Sequence, residues 1–303
     1  MEKIIIDCDP GIDDAAALSV AINHPELDVQ LVTTVAGNVT VDKTTQNALK
    51  ILEFFDKADQ IPVAAGAEQP LVKPFEDAAR IHGESGMRGY EFPQPVTKPV
   101  QQTAVEALHT AIMQSLEPIT LVPTGSYTNI GLLLAQYPDV KAKINRIVTM
   151  GGSLGMGNMT SAAEFNVFTD PDAAQIMYQA GIPIVMIGLD VTMKALLTPE
   201  TLTTIANLNR SGQMLHDIII SDGDRNDAGV AMHDVNTIFY LRHPEAVTTT
   251  PYWVDIQTTG PAIGETVADI RGAYHAGQTN ALVGTDIDAA AFNRWFIAQV
   301  ERM

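Results

Sequence analysis

Cysteine is almost absent: Cys8 is the only one. No disulfide framework can form within the chain, so a reducing compartment is expected. Basic residues are scarce, with 18 Lys and Arg against 36 Asp and Glu and a formal net charge of −18. Nucleic acids and anionic membrane surfaces are therefore excluded as expected partners. A cation, or a neutral small molecule held beside one, suits this charge better. No apolar run approaches the ~18 residues that a membrane span needs. The first residues lead directly into Ile4-Ile5-Ile6, without the basic and apolar regions of an export signal. There is also no Pro/Gly/Ser linker, repeat or low-complexity tract. The expectation is a cytoplasmic enzyme with residues 1–303 as a single domain.

What is present is enough apolar material for a large core, 46% of residues against 18% charged. Short apolar runs at 4–6, 29–35, 119–122, 147–150 and 182–187 have the length of buried parallel strands. Helix-like segments lie between or after them, at 42–55, at 171–179 after Asp170, and from Thr198-Pro199 onward, where threonine reads as an N-cap. Such alternation predicts an α/β fold, an open and mostly parallel (mixed) sheet with helices on both faces. Beyond residue 250, strands at 252–258 and 281–283 and a helix at 289–300 read as antiparallel additions to the same sheet. Two polar, glycine-bearing loops, 83–89 and 221–229, read as mobile lids or as ordinary surface loops.

Each predicted strand ends in polar or glycine-rich sequence, and ligands of open α/β sheets sit at those ends. The first end is Asp7-Cys8-Asp9-Pro10-Gly11-Ile12-Asp13-Asp14. Four aspartates in eight residues repel one another unless a cation sits among them, and oxygen ligands select a hard one, calcium or magnesium. Asp13 and Asp14 also fall in the first turn of the next helix, where acidic residues are common for capping alone. The complete pattern after an Ile-Ile-Ile strand exceeds what capping requires. Cys8 reads as buried packing, not as a nucleophile.

This segment resembles the signature of the nucleoside hydrolases, the inosine–uridine-preferring family. Thr33–Asn38 is similar to that family's second strand end, and Val122-Pro123-Thr124-Gly125-Ser126-Tyr127-Thr128-Asn129 to its central metal-binding loop. Met150-Gly151-Gly152-Ser153 through Asn158, with Ala163-Glu164-Phe165-Asn166, resembles its ribose-binding stretch, and Met232-His233-Asp234 its last motif. The similarity spans essentially the whole chain. His82-Gly83-Glu84-Ser85-Gly86-Met87 is most similar to the non-specific ribonucleoside hydrolase branch.

The resemblance implies hydrolysis of the N-glycosidic bond of purine and pyrimidine ribonucleosides with one Ca²⁺ per subunit. It implies metal ligation by Asp9, Asp14, Asp234 and the Thr124 carbonyl, with Asp9 also taking a proton from the attacking water. Asp13, Asn38, Asn158, Glu164 and Asn166 would hold the ribose, and Asp7 would support the site from behind. A homotetramer or homodimer is implied. The chemistry is consistent: an oxocarbenium-like sugar needs carboxylates beneath it, and a departing base needs a proton donor above it. His82 and His233 are the donor candidates, with Tyr90 a weaker one. His24, His109, His216, His243 and His275 carry no pattern and read as structural.

Some positions depart from the family pattern. Val235 follows His233-Asp234, Ser126 and Tyr127 vary the central loop, and an acidic stretch at 222–227 lies where relatives place base-contacting aromatics. These bear on base preference more than on bond cleavage. Two other readings remain at this point. A Mg²⁺-dependent haloacid-dehalogenase-type phosphatase also starts from Asp-x-Asp after a strand, but needs a nearby Thr or Ser and a later lysine, and Pro10-Gly11-Ile12-Asp13 does not fit it. A calcium-dependent sugar-binding protein would need ribose contacts but no base.

Overall fold

The computed structural model describes residues 1–303. Its strands are β1 Glu2–Cys8, β2 Leu27–Thr34, β3 Val63–Ala65, β4 Ile119–Pro123, β5 Ile144–Met150 and β6 Ile184–Ile187. They continue with β7 Leu196–Leu197, β8 Val230–Ala231, β9 Val247–Tyr252, β10 Val254–Ile256, β11 Thr266–Ala268 and β12 Ala281–Ile287. Eight strands form one sheet in the order β3-β2-β1-β4-β5-β6-β12-β9. All its neighbours are parallel except β12 and β9.

The uniform apolar character of β1 has a direct cause. Ile4 and Ile6 pack into the layer formed with helices Ile12–Asn23, Val41–Phe54 and Ala289–Glu301. Ile5 packs on the opposite face with helices Ala104–Gln114, Thr128–Gln136 and Pro171–Tyr178. Successive side chains point to opposite faces, so a strand covered on both sides must be apolar at every position. Burial of each such side chain stabilises the fold by about 1.5–3 kcal/mol.

Helix starts follow local chemistry. The Asp170 side chain accepts from Ala173 N at 3.0 Å ahead of Pro171, and Thr198 accepts from Thr201 N at 3.2 Å ahead of Pro199. Asp288 accepts from Ala291 N at 2.9 Å to start the last helix. Each cap satisfies an amide that the helix itself leaves unpaired.

The expectation of antiparallel additions after residue 250 needs correction. Only β9 is an antiparallel addition to the sheet. Residues 252–258 divide between the end of β9 and β10, and β10 pairs with β11 in a separate two-stranded ribbon. β12 runs parallel to β6, because the chain descends along β9 and must return upward before its last helix.

Candidate active site

The strand order reverses between β1 and β4. At such a reversal the connections leave in opposite directions and open a crevice at the carboxyl ends of the strands. A cavity of about 450 Å³ lies there. It is lined by Asp13, Asn38, His82, Thr124 and Asp234, which come from five different segments of the chain. Asn158, Glu164, Asn166 and His233 also line it. Residues separated by more than a hundred positions in sequence therefore meet in one crevice, although Asp9 and Asp14 do not themselves line it.

Asp9 and Asp14 are buried and reach this cavity through hydrogen bonds. Asn38 N donates to Asp9 Oδ2 at 2.6 Å, and Asn38 Nδ2 donates to Asp14 Oδ2 at 3.2 Å. Thr124 Oγ1 donates to Asp14 Oδ1 at 2.9 Å. Asp7 lies farther back, accepting from Thr33 Oγ1 at 2.6 Å and Asn129 Nδ2 at 2.8 Å. Gly11 is the N-cap of helix Ile12–Asn23, and its amide donates to Asp14 Oδ2 at 3.2 Å. The acidic segment thus does cap a helix, but this uses only part of Asp14.

Asp9 is held between two glycines. A Cβ on Gly37 would overlap its Oδ2, and a Cβ on Gly125 would sit 2.8 Å from its Oδ1 and 3.0 Å from its backbone nitrogen. Neither glycine stood out in the sequence except as part of a motif. Gly125→Ala is expected to displace the Asp9 carboxylate and lower turnover about a hundredfold, the scale of a 1 Å misplacement. Circular dichroism should remain unchanged. Turnover within twofold of the parent would show that Asp9 tolerates the shift.

The carboxyls are strongly perturbed. Burial, the largest cause in each case, raises Asp7 to about 7, and pushes Asp9, Asp13 and Asp234 well above the ordinary carboxyl range. Repulsion between neighbouring aspartates adds to it. Asp14 and Glu164 are raised as well, again mainly by burial. Asp14 and Asp234 lie close together and repel when both are ionised.

A cation removes that conflict. Ligand oxygens of Asp13, Asp14 and Asp234 lie within 4.8 Å of one another. Asp9 Oδ1 is buried without any hydrogen-bond partner. The nearby sulfur is turned away, as Cys8 Sγ donates to the Thr33 carbonyl at 3.6 Å and burial pushes its pKa up. An oxygen-only donor set fits a hard divalent ion. The tight group contains Asp13, whereas the resemblance implied Asp9 as a ligand beside Asp14 and Asp234. The Thr124 carbonyl accepts from Asn166 Nδ2 at 2.6 Å and keeps a second lone pair.

The sugar-binding candidates are arranged unevenly. Glu164 caps helix Phe165–Thr169, and its Oε2 accepts from Gly152 N at 2.9 Å and Asn166 N at 3.0 Å. Asn158 is exposed, with Oδ1 accepting from Phe165 N at 2.9 Å.

His82 Nδ1 accepts from the Ile12 amide at 3.2 Å. An amide can only donate, so the neutral ring must carry its proton on Nε2. Protonating Nδ1 would break that bond and bury a charge, and burial is the largest reason that the pKa falls to about 4. His233 also falls to about 4 through burial. None of His24, His109, His216, His243 and His275 lines the cavity. Tyr90 does not line it either: it packs edge-on against Phe54 and Phe92 at 6.0 and 4.8 Å between ring centroids. Its candidacy as a donor is withdrawn.

Several lining residues were not foreseen: Arg80, Ile81, Met159, Met193 and Leu196. Pairing of β7 with β8 places Leu196 opposite Ala231, two residues before His233. Single residues on very short elements or in loops carry no periodic signal, which is why the sequence did not mark them. The acidic stretch was marked, and Asp222, Asp224 and Asn226 do line the cavity. The loop at 83–89 is hydrogen-bonded at both its middle and its end. Asn47 Nδ2 donates to Ser85 O at 2.8 Å, and Arg88 Nε donates to Ser221 O at 2.8 Å, tying it to the second loop. The phosphatase alternative needs a lysine in the site, and the cavity's only Lys or Arg is Arg80.

Similarity to known proteins agrees with this geometry. The family profile described as inosine-uridine preferring nucleoside hydrolase matches residues 4–294. The non-specific ribonucleoside hydrolase RihC of Klebsiella pneumoniae (strain ATCC 700721 / MGH 78578) is 50% identical over 296 residues, covering 96% of each chain. That of Escherichia coli (strain SE11) is 48% identical over 299 residues, 98% of this chain and 97% of the relative. Among solved structures, the purine-preferring ribonucleoside hydrolase from Gardnerella vaginalis superposes with a TM-score of 0.92 at 30% identity, covering 99% of this chain and 98% of the other. With residues 4–294 matched by that profile and half of its residues identical to a relative over nearly the whole length, this chain belongs to the inosine-uridine preferring nucleoside hydrolase family.

Proposed function

We propose that this chain hydrolyses the N-glycosidic bond of purine and pyrimidine ribonucleosides, releasing free base and ribose. The observation that carries this reading is the buried carboxylate group set against a cavity lined by Asn38, Asn158, Glu164 and Asn166. The two RihC relatives, named as non-specific ribonucleoside hydrolases, support the breadth of substrate. Residues 1–303 act as one unit, in the cytoplasm and as a homo-oligomer, a tetramer or dimer. The single buried cysteine is consistent with the cytoplasm. No helix is long and apolar enough to cross a membrane.

Calcium is the cation we assign, held by Asp9, Asp14, Asp234 and the Thr124 carbonyl, with Asp13 close enough to contribute. When bound, it supplies a positive centre that gathers water and the ribose diol and lowers the pKa of that water. Asp9 takes the proton as water attacks C1′, a role that suits its free and buried Oδ1. Asp13, Asn38, Asn158, Glu164 and Asn166 bind the ribose hydroxyls and fix the ring for attack. Buried carboxylates beneath the sugar stabilise the positive charge that develops there. His82 and His233 stand as donors to the departing base, and Asp7 steadies the floor through Asn129 and Thr33.

Reducing-sugar release from a panel of ribonucleosides and 2′-deoxyribonucleosides tests the reading. Inosine and uridine should both be cleaved. The deoxy analogues should fall by about 10⁴-fold, because a site built to bind a hydroxyl is left with unpaired buried groups without it. Failure to cleave any ribonucleoside, with turnover of a phosphate ester instead, would refute it.

A further inference from the structure

His233 lines the cavity beside Asp234, and two readings compete for it: a partner of Asp234, or a group facing substrate. Its Nδ1 decides between them. That atom lies 2.7 Å from Thr192 Oγ1, so it is not engaged by Asp234. Nε2 has no protein partner and is not among the sealed, unpartnered atoms of the interior.

Thr192 is fully buried at the end of helix Leu189–Thr192, which follows directly on β6. The hydroxyl has no hydrogen-bond partner other than His233. A hydroxyl has one proton and two lone pairs. If it accepted from Nδ1–H, its own proton would be buried without an acceptor, which is costly. If it donates to Nδ1, nothing is left unpaired. The hydroxyl therefore donates, Nδ1 is the acceptor, and the ring proton resides on Nε2. His82 is forced into the same tautomer by the Ile12 amide.

We infer that Thr192 is a positioning residue: it fixes the tautomer and rotation of His233 so that Nε2–H is the donor offered to the departing nucleobase. The inference rests on the hydrolase reading proposed above and deepens it. It makes base activation a hydrogen bond from an oriented neutral imidazole, with the electron pair of the broken C1′–N bond passing to the base nitrogen.

The test compares wild type, Thr192→Val and Thr192→Ser on inosine, uridine and para-nitrophenyl β-D-riboside. The leaving group of the aryl riboside, para-nitrophenolate, takes the electron pair of the C1′–O bond as a stable anion and needs no donor. Thr192→Val, which keeps the shape but loses the hydroxyl, should lower kcat on the nucleosides about ten- to a hundredfold, part of the roughly 10²–10⁴-fold that a positioned proton donor supplies. Its KM should change little, and the aryl riboside should stay within about twofold. Thr192→Ser should restore nucleoside turnover. Nitrogen–proton NMR of histidine-labelled protein, with the His233 signal identified by its loss in His233→Ala, should show Nε2–H in wild type and a mixture in Thr192→Val.

Equal losses on all three substrates, no loss on nucleosides, or an Nδ1–H tautomer in wild type would each overturn the inference. Wild type inactive on every riboside would instead defeat the hydrolase reading, while the NMR result would still report on the Thr192 contact.

Discussion

Asp9→Asn is expected to reduce inosine and uridine turnover by about 10⁴-fold or more, while raising the thermal stability of the metal-free protein. The first effect follows from its proposed place as base: loss of general-base assistance removes about 10²–10⁴-fold, and disturbing a cation beside the reacting atoms adds to that. The second follows from burial, which raises Asp9 well above its ordinary pKa. At neutral pH an ionised Asp9 is therefore a destabilised group, and a neutral amide of the same shape relieves it. The asparagine can still accept from Asn38 N through its carbonyl oxygen, so the strand end should keep its geometry. Opposite signs for activity and stability separate a functional carboxylate from a structural one. Steady-state kinetics and a thermal melt in chelator check both. Near-normal kcat would remove Asp9 from the mechanism. Greatly lowered stability would mean that the carboxylate is a structural acceptor.

Much of the fold was legible because each signal had one physical source. A strand covered on both faces must be apolar throughout, so the run at Ile4, Ile5 and Ile6 could be read directly. Caps at Asp170 and Thr198 were equally plain, since a polar residue before proline satisfies free helix amides. The direction of β12 was not legible. Parallel and antiparallel pairing use the same short apolar sequence, and the choice depends on where the chain has been taken by the intervening ribbon β10–β11.

The site divides in the same way. Charged and amide residues announced themselves, since four aspartates in eight positions have no simple packing explanation. Met193, Leu196 and Ile81 did not, because an apolar residue on a loop or a very short element looks alike whether it lines a cavity or covers a core. Thr192 was silent for another reason. Its importance lies in one hydrogen bond to a residue 41 positions away, and a threonine at a helix end has many ordinary uses. Tyr90 shows the reverse: a phenol can donate a proton wherever it stands in a sequence, but here the ring packs against Phe54 and Phe92 and does not line the cavity.

Removal of the cation should destabilise the protein more at pH 8.5 than at pH 7. Each buried aspartate has a higher pKa folded than unfolded, so the folded state binds more protons. Stability without metal therefore falls as pH rises from the unfolded value near 3.8 and is fully lost only above the folded value. For Asp7, raised to about 7, the cost of ionisation is on the order of 4 kcal/mol. His82 and His233 act with the opposite sign, since their lowered pKa values make stability rise between about 4 and the ordinary 6.5. Their contribution is largely complete by pH 7, so the interval above it isolates the carboxyls. Calcium needs its ligands ionised and should bind more tightly as pH rises. At a hundred times its dissociation constant it adds about 2.7 kcal/mol, or roughly 4 °C in Tm at an unfolding entropy of about 2.1 cal/mol/K per residue. Paired melts in calcium and in chelator should therefore diverge with pH. A calcium increment that is the same at both pH values would mean that the cation does not compensate these aspartates. An increment absent at both would mean that the carboxylate group at Asp13, Asp14 and Asp234 is held by shared protons alone.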